Sequence, residues 1–329
     1  MDFFSQTYVA LRGPTGAPQT PTDTIGRLSD RLSPATLLAD RRAAVLALKG
    51  LSRDCKQEVG ERALYGLLQV LYNDVEVDAD IGKAVLETLN LLCDTEDATI
   101  GARELGFKHT DAVLASENTA HILFTLLGDS NFYTRFATLQ LLTTLLHNRR
   151  QIIQSHFLTA PAGPRGIISV LEDKREIITN GRLLIDGYSS LCNFTICRPS
   201  EATAMLQALI SQSPDIQKVL AFEGAFERLF NIVSQEGGVD GGIAAQGALS
   251  CVDSLLRFNT ANQVFHSVFV SSSFLVLISY LRATSVKPPF HRPSSLFSNF
   301  LCLCRLIKLL LKNLRCSSGM NRRRLTRLL

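Results

Sequence analysis

No stretch of this 329-residue sequence alternates apolar and polar residues with a period of two, so it offers no material for a β-sheet. Charge is scarce, at 19% against 46% hydrophobic residues, which excludes a disordered tail. Glycine (21) and proline (11) are too few for a collagen, and there is no tryptophan. Eight cysteines would suit a disulfide scaffold only in an exported protein. Met1 to Arg12 is too short and too polar for a signal peptide, so the expected compartment is reducing and the thiols free. Cys55, Cys93 and Cys251 fall among helical apolar positions and read as core packing.

Catalytic patterns are lacking as well. The six histidines (His109, His121, His147, His156, His266, His291) form no HExxH and no cluster with metal-ligand spacing. Cys192 with Cys197, and Cys302 with Cys304, have no second ligand pair. Gly237, Gly238, Gly241 and Gly242 follow no strand and precede no GK[ST], so they make no phosphate cradle and read as a helix connection. No GxSxG occurs. The expectation is a non-catalytic protein with no cofactor and no metal.

Acidic residues are unevenly missing. Residues 1–263 carry 23 Lys and Arg against 30 Asp and Glu, a net −7, whereas 264–329 carry 11 against none, a net +11. The bland overall +4 is the sum of these unlike pieces. An acidic body argues against a nucleic-acid partner.

What the chain does have is helical period. After a Pro, Gly and Thr lead-in, expected to be disordered through residue 23, apolar residues recur at i, i+3, i+4 and i+7. Examples are Leu64, Leu67, Leu68 and Leu71; Val85, Leu89 and Leu92; Leu139, Leu142 and Leu146; and Leu249, Val252 and Leu256. Another is the set Phe222, Phe226, Leu229 and Val233, expected to form one inward stripe. Tyr72-Asn73-Asp74, Gly128-Asp129-Ser130 and Glu236-Gly237-Gly238 read as breakers between helices. Asp40 to Leu46 and Asp80 to Leu86 share Asp, Ala, Val and Leu in register, a repeat that favours an armadillo or HEAT solenoid over a compact bundle. The expected fold class is therefore all-α: an armadillo/HEAT-like α-solenoid, truncated, with an irregular C-terminal tail.

One block is more specific than this periodicity. Asp215-Ile216-Gln217-Lys218-Val219-Leu220-Ala221-Phe222-Glu223-Gly224-Ala225-Phe226-Glu227-Arg228-Leu229, followed by Glu236-Gly237-Gly238-Val239-Asp240-Gly241-Gly242-Ile243, closely resembles the head of the general vesicular transport factor family. Thr36 to Arg42, Glu58-Val59-Gly60, Leu105-Gly106 and Lys174 to Ile178 agree in order, so the resemblance runs from about Thr24 to Gln263. It implies a coiled-coil vesicle tether acting between endoplasmic reticulum and Golgi and within the Golgi, with an armadillo-like head. Its implied partners are a Rab-family GTPase, SNAREs and Golgi tether proteins. The implied location is cytoplasmic, peripheral on Golgi and ER-derived vesicle membranes. Lys218, Phe222, Glu223, Phe226, Glu227, Arg228, Gly237, Asp240, Gly241 and Gly242 are the motif positions and the candidate partner-binding residues. Lys218, Glu223, Glu227 and Arg228 lie off the apolar stripe, as either a solvated face or a partner contact.

The resemblance also marks two departures. Residues near 181–201 read as an insertion and 264–329 as a tail foreign to the family, rich in Leu (14), Ser (11) and Phe (6). Each opens on a residue, Gly181 or Val264, whose codons admit the GT of a splice donor, so both are expected to be translated noncoding sequence. The family's homodimerising coiled coil is expected to be missing here, and the implied activity is binding without tethering. The alternative is an armadillo-type adaptor anchored by its tail. Val264 to Leu281 is a mainly apolar run, and Leu301 to Leu314 with Arg305, Lys308 and Lys312 offers a basic amphipathic membrane helix.

Overall fold

A computed structural model of the chain describes residues 20–96, 100–173, 201–236 and 242–263. Among them there is no strand. The helices are α1 (Pro21–Asp30), α2 (Leu38–Leu51), α3 (Lys56–Asp74), α4 (Ala79–Cys93), α5 (Ile100–Val113) and α6 (Glu117–Leu126). After them come α7 (Phe132–Thr159), α8 (Gly163–Glu172), α9 (Glu201–Ile210), α10 (Pro214–Phe222), α11 (Ala225–Gln235) and α12 (Ile243–Leu256). The fold is an all-α armadillo-like solenoid. The chain divides into two compact units, one ending at Leu92 and the other beginning at Cys93.

In the first unit, α1 begins within the stretch expected to be disordered. Pro21 fits the first helical position, and the Thr20 hydroxyl accepts from the Asp23 backbone N–H at 3.2 Å. Ile25 and Leu28 of α1, Val45 and Leu48 of α2, and Leu67 and Leu71 of α3 are buried together. The repeat noted in the sequence marks equivalent positions, since Asp40 and Asp80 stand in the first turns of α2 and α4, where a carboxylate suits the helix dipole.

Tyr72-Asn73-Asp74 does not break a helix; it is the last turn of α3. Asp74 is buried there and receives the fork of Arg41, Nε to Oδ2 and Nη2 to Oδ1 both at 2.7 Å. Arg41 also donates to the Thr36 carbonyl, Arg42 pairs with Asp78, and Lys49 reaches Glu87 at 2.6 Å. Asp78 in turn accepts from the Asp80 and Ile81 N–H groups at the start of α4. The paired arginines of the Thr36 to Arg42 segment thus tie α2 to the end of α3 and the entry of α4. Removing either partner of the buried Arg41–Asp74 pair would strand a charge.

In the second unit, Leu139, Leu142 and Leu146 of α7 and Leu249, Val252 and Leu256 of α12 are buried as their spacing predicts. Gly128-Asp129-Ser130 does separate α6 from α7, with Asn131 capping α7 by accepting from the N–H groups of Tyr133 (2.9 Å) and Thr134 (3.2 Å). Gly106, in the Leu105-Gly106 pair, packs so closely on the preceding segment that a Cβ would sit 2.4 Å from the Asp94 carbonyl oxygen. Cys93 and Cys251 are buried, as expected, whereas Cys55 is half-buried just ahead of α3 and not in the core.

Helix ends in this unit are closed by amide side chains. Asn148 donates from Nδ2 to the Cys93 carbonyl and to Thr110 Oγ1, both at 2.8 Å, and its Oδ1 accepts from the Thr95 hydroxyl at 2.8 Å. Gln154 donates to the carbonyls of Leu209 (2.7 Å) and Ser211 (2.8 Å) at the end of α9. Carbonyls at helix ends are the ones a helix's own backbone leaves unsatisfied.

Two outcomes are expected. Asn148→Ala should destabilise the second unit by about 2 to 3 kcal/mol, because it takes the acceptor from the buried Thr95 hydroxyl and removes a hydrogen bond from the Cys93 carbonyl and another from Thr110; the urea unfolding midpoint reads this. Burial pushes the Cys251 thiol up to about 12, so at pH 8 it should resist thiol reagents until the protein is denatured.

Candidate functional site

The motif block folds as two short helices about a glycine joint. Pro214 opens α10, whose first turn carries Asp215. The helix stops at Phe222, with the Glu223 N–H donating to the Val219 carbonyl at 3.0 Å and the Gly224 N–H to the Ala221 carbonyl at 3.2 Å. Gly224 then adopts φ 86°, a left-handed conformation that glycine takes without steric cost, and α11 begins at Ala225. A Cβ at Gly224 would also lie 2.7 Å from Arg228 Nη1.

This joint corrects the expected stripe. Phe226, Leu229 and Val233 are buried on α11. Phe222 belongs to α10, and the turn at Gly224 breaks the i, i+4 register, so its ring is 82% exposed. The side of α10 that packs inward presents Ile216, Gln217, Leu220 and Ala221 instead.

Around the joint the charges are arranged in pairs. Arg228 donates from Nε to Glu172 Oε1 at the end of α8 (2.9 Å) and from Nη1 to Glu227 Oε2 (3.2 Å). Lys218 meets Asp215 at 3.3 Å one turn back along α10. Phe222, Glu223, Glu227 and Lys218 are all exposed, so the block offers an aromatic ring bordered by carboxylates, with one guanidinium held beneath the turn. Exposed pairs of this kind contribute little to stability, about 0 to 1 kcal/mol. Gly242 precedes α12 at its N-cap. Gly237, Asp240 and Gly241 lie outside the described residues, as do the segments 181–200 and 264–329 and the proposed membrane helices.

Gln217 was not singled out by sequence reasoning, yet it organises the site. It is buried and donates from Nε2 to the Ile210 carbonyl (3.2 Å) and the Ser254 carbonyl (2.9 Å). Its Oε1 accepts from Asn259 Nδ2 at 3.2 Å, and its backbone carbonyl from Asn262 Nδ2 at 3.0 Å. Asn262 also reaches the Leu255 carbonyl (2.9 Å), and Gln263 the Leu256 carbonyl (2.8 Å). This network fixes α10 against the end of α12. The available signal was a glutamine lying between Ile216 and Leu220 on the apolar side of a short helix. Among the described residues, no three His, Cys, Asp or Glu gather as a metal would require, and no helix is long and apolar enough to cross a membrane.

Gly224→Ala is expected to cost about 1 to 2 kcal/mol from the left-handed backbone alone, and more as Arg228 is displaced. A thermal melt against Arg228→Ala, which should lose much less, separates the backbone effect from the ion pairs.

No family model matches the sequence. Among curated proteins, the chain is 35% identical over 262 residues to the human general vesicular transport factor p115, covering 78% of this chain and 25% of that protein. It is 30% identical over 292 residues to the intracellular protein transport protein USO1 of Saccharomyces cerevisiae, covering 80% of this chain and 15% of that one. A crystal structure of Uso1 superposes with a TM-score of 0.73 at 27% identity, over 90% of this chain and 45% of the other. The chain therefore spans about a quarter or less of the length of these curated relatives. Sequence and fold agree: this chain belongs to the general vesicular transport factor family of p115 and Uso1.

Proposed function

We propose that this chain is the globular head of a vesicle tethering factor, acting in ER-to-Golgi and intra-Golgi transport as a non-catalytic binding surface. The observation that carries this reading is the 35% identity, over 262 residues, to a general vesicular transport factor. In this reading the head sits peripherally on Golgi and ER-derived vesicle membranes, facing the cytoplasm. It engages a Rab-family GTPase, SNAREs and Golgi tether proteins. The geometry supports a binding role for the α10–α11 joint. Phe222 projects from a helix whose opposite side is locked down by Gln217, so its ring is presented at little cost in order on binding. A rigid exposed aromatic beside charged groups has the character of an interface anchor.

The test is binding of the purified chain to Golgi-enriched membranes and to GTP-loaded Rab proteins. Phe222→Ala combined with Glu223→Lys and Glu227→Lys should weaken binding at least about tenfold, which is about 1.4 kcal/mol, with the thermal unfolding midpoint unchanged. Wild-type binding to these membranes but not to protein-free liposomes is the expected pattern. Salt-sensitive liposome binding that is lost on deleting 264–329 would favour the tail-anchored adaptor instead.

A further inference from the structure

Within α7 two helical stretches meet at a kink at Arg149, the one residue inside it with non-helical backbone angles (φ −140°, ψ 60°). Helix bends generally trace to proline, to glycine, to an extra residue in the turn, or to a side chain that enforces them. The local sequence, His147-Asn148-Arg149-Arg150-Gln151, contains neither proline nor glycine. Arg149, Arg150 and Gln151 are good helix formers, so the backbone by itself favours running straight through. The cause therefore lies in side-chain contacts.

Beyond the kink Ile153 and Phe157 are buried in the core, and two kinds of polar contact act beside that packing. Buried amides grip both sides of the bend: Asn148 holds the Cys93 carbonyl and Thr110 ahead of it, and Gln154 holds the end of α9 beyond it. At the bend itself, Arg149 lays its guanidinium on Asp111 of α5, Nε to Oδ1 at 2.5 Å and Nη2 to Oδ2 at 2.8 Å. Its Cζ stands 4.8 Å from the centroid of the Phe107 ring, one turn before Asp111 on the same helix. Nη1 turns back to the Asn148 carbonyl at 3.3 Å. Hydrogen bonds from the guanidinium hold the Asp111 carboxyl below its ordinary range. Unlike the amides, this pair is open to water, with the Arg149 and Asp111 side chains 33% and 49% exposed.

We infer that Arg149 is a latch: its fork on Asp111, backed by Phe107, steadies the kink in α7, and opening the fork loosens the backbone of the joint over residues 147–153. Because the latch is ionic and solvent-accessible, salt or a competing anion opens it while the buried amide grips stay closed. The joint is thus a place where ionic surroundings alter the local order of the solenoid without unfolding it. This inference does not depend on the function proposed above.

Hydrogen exchange on the full chain tests it. In the wild type, amides 147–153 should exchange at least about threefold faster in 1 M salt, where the screening length is only about 3 Å, than in dilute buffer. Asp111→Asn should show the fast exchange in both buffers, and exchanging the two residues (Arg149→Asp with Asp111→Arg) should restore protection. Amides of α1 should not respond. Wild-type exchange at 147–153 that ignores salt, or an Asp111→Asn profile that matches the wild type there, overturns the inference. So does acceleration spread evenly over all helices, because that reports global stability and not a latch.

Discussion

Every α-helix ends with carbonyl groups that its own backbone cannot satisfy, and a stack of short helices buries many such ends. That constraint organises the second unit of this chain. Its solution is repeated: a buried primary amide donates to carbonyls at or near the end of a helix. Asn148 does this for Cys93, Gln154 for Leu209 and Ser211, Gln217 for Ile210 and Ser254, and Asn262 for Leu255. An amide suits the task because it brings two donors without a charge to desolvate. The apolar stripes drive the helices together, while the amides fix the register in which they stop.

The surface left over by this arrangement is where binding can reside. Around Gly224 the backbone is committed twice, inward through the Gln217 network and below through Arg228, so the outer edge is held without being covered. Phe222 is displayed because its helix ends at that point. A rigid frame carrying exposed side chains is what a protein that acts by contact requires, and kinship with vesicular transport factors gives that frame its context.

Much of this was readable from the sequence. The helical period placed Leu67, Leu71, Leu139, Leu142 and Leu249 correctly in the core, because burial of an apolar face leaves a direct trace in spacing. The motif block marked the segment but not the joint within it. What the period could not show was where a helix stops between two matching apolar residues: Phe222 and Phe226 are four apart, and only the left-handed Gly224 puts them on different helices. Asp74 misled for the opposite reason. An Asn-Asp pair suggests a turn, but the carboxylate is wanted inside, opposite Arg41. The period could mark Asn148 and Gln217 at most as polar residues on an apolar side, since their meaning lies in a carbonyl on another helix, 55 residues away for Asn148 and Cys93.

The amide closures also set how the molecule ages. Hydrolysis of an asparagine side chain exchanges an NH2 group for an oxygen, a change of little note on a surface. At Asn148 or Asn262 the new carboxylate would confront the carbonyls that the amide had served, acceptor against acceptor, in a buried place. Slow chemistry at a single atom would then act as a structural lesion, and the packing that shields these residues from water also protects the fold against its own clock.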